Sequence, residues 1–313
     1  RALGRKDYDT VSRSSAFGFY CSLVCGVLFG LLCALSQGPL LTLIGADQTT
    51  RAATQGYLFW TVFLGSPPAI LNVFMAYLVR SEGAALHASI GTMSGCFLNI
   101  ILDPVFILPW GFNMGAAGAG LATFLSNCAA CIYFFVFLYV KRGKTFVCVD
   151  PRKFSFQKMI VKEVCGVGIP ASIQNLLNVT GMTILNNFTA VYGADAVAAM
   201  GIAYKIYMVP MQITLGFSQG IMPLVSYNFA SGNRRRMKET ILFALKLMIP
   251  VLAVVMLLYH FGADTLIRLF MDNDTIVAYG GKFLQGFGLG LIFLCVDFLA
   301  VGVFQALGLG KYS

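Results

Sequence analysis

Asn99 and Asp103 stand four residues apart at the end of an apolar segment, and Pro104 follows directly. On a helix this spacing stacks the amide and the acid on one face. Pro104 has no N–H to donate and disfavours helical geometry at the residue before it, so regular helix is expected to fail there. An acid beside an amide at a helix break inside a bilayer suits the binding of a proton or a small cation. The competing reading is an acid that caps the helix at the water interface. Asp297 is a second acid, flanked by Leu291–Val296 and by Phe298-Leu299-Ala300, and an acid that deep in an apolar helix points to function before structure. Lys205 lies about 15 Å into its helix at 1.5 Å per residue. It would meet an anionic substrate or pair with Asp297, or else snorkel to the interface. Gln174, Asn178 and Asn175 recur at three-to-four spacing, as residues that line a cavity or glue helices together would. Asn186 and Asn187 add amides to the same segment, and Glu163 beside Lys162 reads as an interfacial cap at its start.

These groups are embedded in 313 residues of which 58% are hydrophobic and 11% charged, with a mean hydropathy of +0.78. A soluble domain carries about 25% charged residues, so this is an integral membrane protein. A pI near 9.1 raises nucleic acid as a partner, but the basic residues fall in short patches between apolar segments, which membrane topology explains and nucleic-acid binding does not. The nine cysteines sit mostly in apolar runs and read as small core residues, so no metal or disulfide framework is expected. His87 and His260 are far apart without HExxH, which argues against an enzyme. Thirteen methionines and 13% aromatic residues suit a deformable binding surface and suit lipid contact equally.

Windows long enough to cross a bilayer as helix can be drawn eight times, at 15–38, 54–79, 86–108, 117–140, 165–192, 197–227, 239–262 and 278–308. Pro67-Pro68, Pro170, Pro210, Pro223 and Pro250 fall within or beside them and mark places to bend. Of the 22 Lys and Arg, 18 fall on one side if the windows alternate, among them Arg1, Arg5, Lys6, Arg13, Arg80, Arg234–Arg236 and Lys311. Arg51 and Arg268 fall on the other side, and Lys205 and Lys282 lie in or near the membrane. That bias predicts a cytoplasmic start. The basic stretch from Lys141 to Lys162 then reads as a cytoplasmic linker, a plain solvated connection that sets topology.

An internal repeat is also visible. Leu3-Gly4-Arg5-Lys6 resembles Ser231-Gly232-Asn233-Arg234. Leu40–Ile44 followed by Ala46-Asp47 resembles Leu266–Phe270 followed by Asp272-Asn273, and Gly83 matches Gly308. The offsets all lie near 226 residues and span six crossings. An even number keeps the two copies in one orientation and predicts two parallel bundles with a cavity between them. A six-helix unit of that length would have the chain begin after two helices of the first copy and end four helices into the second.

The chain resembles the multidrug and toxic compound extrusion (MATE) transporters, of the superfamily that includes lipid-linked oligosaccharide flippases. The resemblance rests on Leu3–Tyr8, Tyr57 ahead of Gly65-Ser66-Pro67, Leu78-Val79-Arg80-Ser81-Glu82-Gly83 and Asn99–Pro104. It continues through Gly115–Thr123, Lys162-Glu163 leading to Gly168–Ala171, Tyr192–Ala199, Gly216–Gly220 and Pro223–Asn228. It implies an all-α integral membrane fold of two pseudo-symmetric six-helix bundles, of which about eight helices, the third to the tenth, are present here. The bundles would be 1–145 and 163–313, joined by a linker at 146–162. It implies an antiporter that exports small cationic or aromatic organic compounds in exchange for H+ or Na+ by alternating access, with a flippase as the alternative. No cofactor beyond the coupling ion and no nucleic acid is implied; the partners are the substrate and the lipid bilayer, the working unit is a monomer, and the location is the cell membrane, as in a bacterial inner membrane. Asn99 and Asp103 match an Asn and an Asp of the family's cation site, whose second acid lies in a helix outside this chain. Two carboxylates there would share one proton and bias the bend at Pro104. Tyr57 and Thr123 lie near positions where the family adds a hydroxyl, although a packing Tyr and a Thr bonded to its own backbone explain them as well. Asp297 is near an acid that another branch uses in its second bundle.

Overall fold

The structure, a computed structural model, describes residues 2–44, 48 and 50–310. Arg1 and Lys311 of the charge count, and Ala46-Asp47 of the repeat, lie outside the described residues. Lipid supplies no hydrogen-bonding partner, so a spanning segment must satisfy its backbone internally, and every long described element is helix. In chain order these are α1 (Tyr8–Leu35), the short α2 (Gln37–Leu43), α3 (Arg51–Leu58), α4 (Ser66–Ser81), α5 (Ala85–Ile107), α6 (Ala116–Val140), α7 (Lys158–Ala190), α8 (Ala194–Ala230), α9 (Arg234–Arg268) and α10 (Asp274–Leu307).

The window at 54–79 is one broken path. A wider turn, Phe59–Phe63, continues α3, with Leu64 N donating to Phe59 O at 3.0 Å. The chain then bends by 45° into α4. Pro67 and Pro68 open α4, where the N–H groups that they lack would have no helical partner in any case. Gly26 and Gly30 of α1 lie against this break: a Cβ on Gly30 would come within 2.6 Å of Phe63 O, and one on Gly26 within 2.9 Å of Pro67 Cα.

Among the described residues, six helices are long and apolar enough to span a membrane, and the bent pair makes a seventh. The eighth expected span, α7, is 33 residues long but is diluted by Gln174, Asn175, Asn178, Asn186 and Asn187. It starts at Lys158, so Glu163 sits in its second turn and is not a cap. Pro104 does not end α5. The helix runs on to Ile107, and Leu108 turns extended (φ −82°, ψ 153°) in front of Pro109, which is therefore the terminating proline.

By internal contacts the chain divides into two compact units, one from Lys6 to Ile160 and one from Val161 onward that includes Leu3–Arg5. In the first, α4, α5 and α6 close on Met75, Val79, Ala88 and Phe134, with Phe19 of α1. The segment 145–156 that leaves α6 is docked along α1 and on Glu82, so the reading of Lys141–Lys162 as a plain solvated connection is overturned. In the second, α8, α9 and α10 pack around Ala199, Ala203, Tyr259, Ile267, Leu284 and Leu291, while α7 buries only Ile160 and Thr189 along its length. Cys131 and Cys295 are buried as small core residues; Cys25, Cys96 and Cys165 are exposed and not core.

Pro210 lies inside α8 and donates nothing to Ile206 O, the acceptor four residues back. Tyr259 of α9 answers that carbonyl through its hydroxyl at 2.9 Å. Tyr259→Phe is expected to lower stability by about 1 kcal/mol, the size of an interhelical hydrogen bond in a membrane. Thermal unfolding in detergent would show this as a lower midpoint, with exposed Tyr279→Phe unchanged as the control.

Candidate functional site

On α5 the Asn99 amide donates to Asp103 Oδ1 at 3.4 Å, and both side chains are half-buried. The one-face arrangement follows from the four-residue spacing and is a long, weak contact by geometry. Among the described residues no cation pairs with Asp103.

A second polar group joins α4 to α6. Asn72 Nδ2 donates to Asn127 Oδ1 at 3.1 Å, and Asn127 Nδ2 donates to Thr123 O at 3.0 Å. The direction of this chain leaves Asn72 Oδ1 buried without a partner. A buried amide oxygen that accepts nothing is costly in an apolar interior. The Thr123 hydroxyl is bonded to Ala119 O of its own helix at 3.0 Å. Tyr57 presents an exposed ring, and its backbone is pressed against α6, where a Cβ on Gly120 would lie 2.9 Å from Tyr57 O. Tyr57 thus lies at the α3–α6 contact and Thr123 one turn along α6 from Gly120, and no hydrogen bond joins either to Asn99 or Asp103.

In the second unit a cleft of about 300 Å³ between α7 and α8 is lined by Asn178, Val179, Met182, Thr183, Asn186 and Tyr204. Asn178 therefore faces a cavity. Gln174 and Asn175 are not in its lining, and Asn175 Nδ2 is occupied by Ala171 O at 2.9 Å. The Tyr204 ring continues into an aromatic group with Tyr207 and Phe287, whose own rings stack at 4.8 Å. Lys205 is exposed beside Tyr204, and Asp297 is exposed on α10. No ion pair joins them among the described residues, so the structure does not bring that expected pair together.

Sequence reasoning passed over Asn127 and Tyr204, and Asn72 stands 225 residues before Asp297, at the spacing of the repeat. Asn127 falls four residues after Thr123 on the same helical face, which was the available signal. It also passed over the CxxC spacing of Cys128 and Cys131. Both are free thiols, and Cys131 Sγ donates to Pro68 O at 3.2 Å. Among the described residues no three His, Cys, Asp or Glu gather as metal ligands.

The chain matches the family model MatE over residues 1–105 and 170–313. It is 33% identical over 312 residues to the multidrug export protein MepA of Staphylococcus saprophyticus, covering 99% of this chain and 68% of that one. The protein of that name from Staphylococcus haemolyticus is 31% identical with the same coverage. Among solved structures, a MATE in the bent conformation superposes with a TM-score of 0.89 at 25% identity, over 99% of this chain and 68% of the other. The outward-facing conformation of a multidrug resistance MATE family transporter has a TM-score of 0.91 at 24% identity, over 100% and 69%, and supports the fold.

The Asn72–Asn127 contact generates a double-mutant test. Asn127→Leu should cost about 1–3 kcal/mol, since it strands the Asn72 N–H groups beside an oxygen that is already stranded. Asn72→Leu combined with Asn127→Leu should cost less than the two single changes summed, because both sides of the polar contact are then gone. Unfolding midpoints of the four proteins check the sign of the coupling.

Proposed function

Since this chain belongs to the MATE family, we propose that it is a multi-pass cell-membrane antiporter. It exports small cationic or aromatic organic compounds in exchange for H+ or Na+, by alternating access between its two bundles. The bundles are 1–145 and 163–313, and 146–162 links them. The observation that carries the reading is the Asn99–Asp103 pair: a carboxylate on a spanning helix with an amide on it and, among the described residues, no cationic partner. Such a group is held ready for a mobile cation, since a permanent countercharge would make it inert. Tyr57 on α3 and Thr123 on α6 would add oxygen atoms to that site, and Asp297 would serve as an acid of the second bundle.

The substrate side is the cleft of Asn178, Thr183, Asn186 and Tyr204, with Lys205 beside it and Gln174 and Asn175 on the same helix. Amides offer both donors and acceptors, Met182 adapts its shape, and Tyr204 offers a π-face, which together suit varied aromatic ligands. The relatives are named for multidrug export, which favours this reading over transport of a lipid-linked saccharide.

A fluorescent organic cation should accumulate in inverted vesicles under an imposed proton or sodium gradient. The gradient that drives it identifies the coupling ion. Asp103→Asn preserves size and the contact with Asn99 while removing the charge. It should reduce accumulation to the level of vesicles without the protein, with the amount of inserted protein unchanged. Normal transport by that variant would sink the assignment.

A further inference from the structure

Glu82 follows α4 and has no cationic partner among the described residues. Its carboxylate accepts instead from one short stretch of the linker: from the Thr145 hydroxyl, from Phe146 N at 2.7 Å and from Val147 N at 2.9 Å. Bonds from a carboxylate to backbone N–H are charge-assisted and strong. The stretch that follows is fastened to α1 residue by residue. Ser12 Oγ donates to Phe146 O at 3.0 Å, Cys148 N to Ser15 Oγ at 3.1 Å, and the Tyr20 hydroxyl to Val149 O at 2.9 Å. Tyr8 stacks on Phe146 at 3.9 Å, Val147 is buried in the core of the unit, and Phe154 meets the rings of Phe17 and Tyr20. Lys153 reaches Asp9 at 3.6 Å.

A loop segment with its backbone groups answered by side chains of another element is part of the fold and not a tether. Glu82 sits where α4 turns into α5, and residue 145 follows shortly after the end of α6, so one carboxylate ties α4, α5 and α6 to the strap along α1. Residues 106–169 also lie outside both stretches matched by the family model, so this anchorage is read from the chain itself.

We propose that Glu82 is a positioning residue for transport: it keeps 145–156 clamped to the first unit throughout the cycle, so that this strap and the helices α1 and α4–α6 move as one body. This rests on the transport reading above, but its first test does not. In detergent, trypsin should cut after Lys144 slowly in the unaltered protein, because its target must unclamp first. Glu82→Ala should speed that cut about tenfold or more, which corresponds to about 1.4 kcal/mol of lost clamping, and Glu82→Gln, which keeps one acceptor oxygen, should fall between. Ser15→Ala is the second variant, should Glu82→Ala insert poorly, and it should also speed the cut. In vesicles, Glu82→Ala should lower the maximal transport rate several-fold and leave the half-saturating substrate concentration unchanged, with partial rescue by Gln. Unchanged cleavage in both variants overturns the clamp. Faster cleavage with an unchanged maximal rate overturns its role in transport. If the unaltered protein moves no substrate under any gradient, the transport reading falls, and the cleavage rates still decide the clamp.

Discussion

A polar group inside hydrocarbon has no water to fall back on, and the architecture of this chain follows from how each such group is answered. Regular helix answers most of them. Where Pro210 opens a gap at Ile206 O, the Tyr259 hydroxyl closes it. Many polar side chains on the spans are closed off by their own helix: Thr123 on Ala119 O, Asn175 on Ala171 O, Thr180 on Leu176 O and Thr183 on Val179 O. A hydroxyl or amide in that state has committed a donor and keeps its oxygen as an acceptor. Among the described residues, those left open include Asn72 Oδ1, Lys205 and Asp297, and Asp103 has an amide on it but no cation. This criterion separates candidates more sharply than residue type does, because it asks what a group still lacks.

By that measure the two units carry different kinds of site. In the first, polar atoms are drawn together across helices, and the Asn72–Asn127 bridge locks α4 to α6 while leaving one acceptor spare. In the second, amides line an open cleft on the barely buried helix α7. A locked, nearly satisfied network favours a small ion of fixed geometry, since each ligand atom must be in place beforehand. A loose row of amides beside Met182 and Tyr204 tolerates ligands of varied shape.

Much of this was legible in the residues. Helix positions followed from apolar runs, and the repeat was legible in outline although its first match was two residues out of register: it set Asn233 against Arg5, whereas Asp7 and Asn233 are the two residues that cap helices through their side chains, to Thr10 N and Arg236 N at 3.1 Å each. Gly83 and Gly308 both follow a helix with positive φ, at 88° and 79°, a conformation that L side chains resist. The Asn99–Asp103 contact was legible because it is local. What failed was anything that depends on a neighbouring element. The bend before Pro67 is set by glycines on α1, α5 ends at Pro109 because Pro104 can be carried within its last turns, and Asn127 gains its meaning only from Asn72 on another helix. The amides of α7 were counted as cavity lining together, but rotation about the helix axis puts Asn178 in the cleft and turns Asn175 onto its own backbone.

The linker shows the same limit in its strongest form. Seven basic residues between two apolar segments carry an unmistakable topological signal, and charge density ordinarily means solvation. Yet docking is decided by the residues between the charges, where Phe146, Val147, Val149, Phe154 and Phe156 put apolar groups at close intervals. An extended segment has no helical period to reveal which side it buries, so its partner could not be deduced from the pattern alone. Glu82 completes the logic from the other end. An acid two residues past a basic Arg80, before a glycine that forces the chain to turn, looks like a solvated loop residue. Its carboxylate is instead consumed by donors about 64 positions away, and such a distant set of donors is what a single sequence hides most effectively.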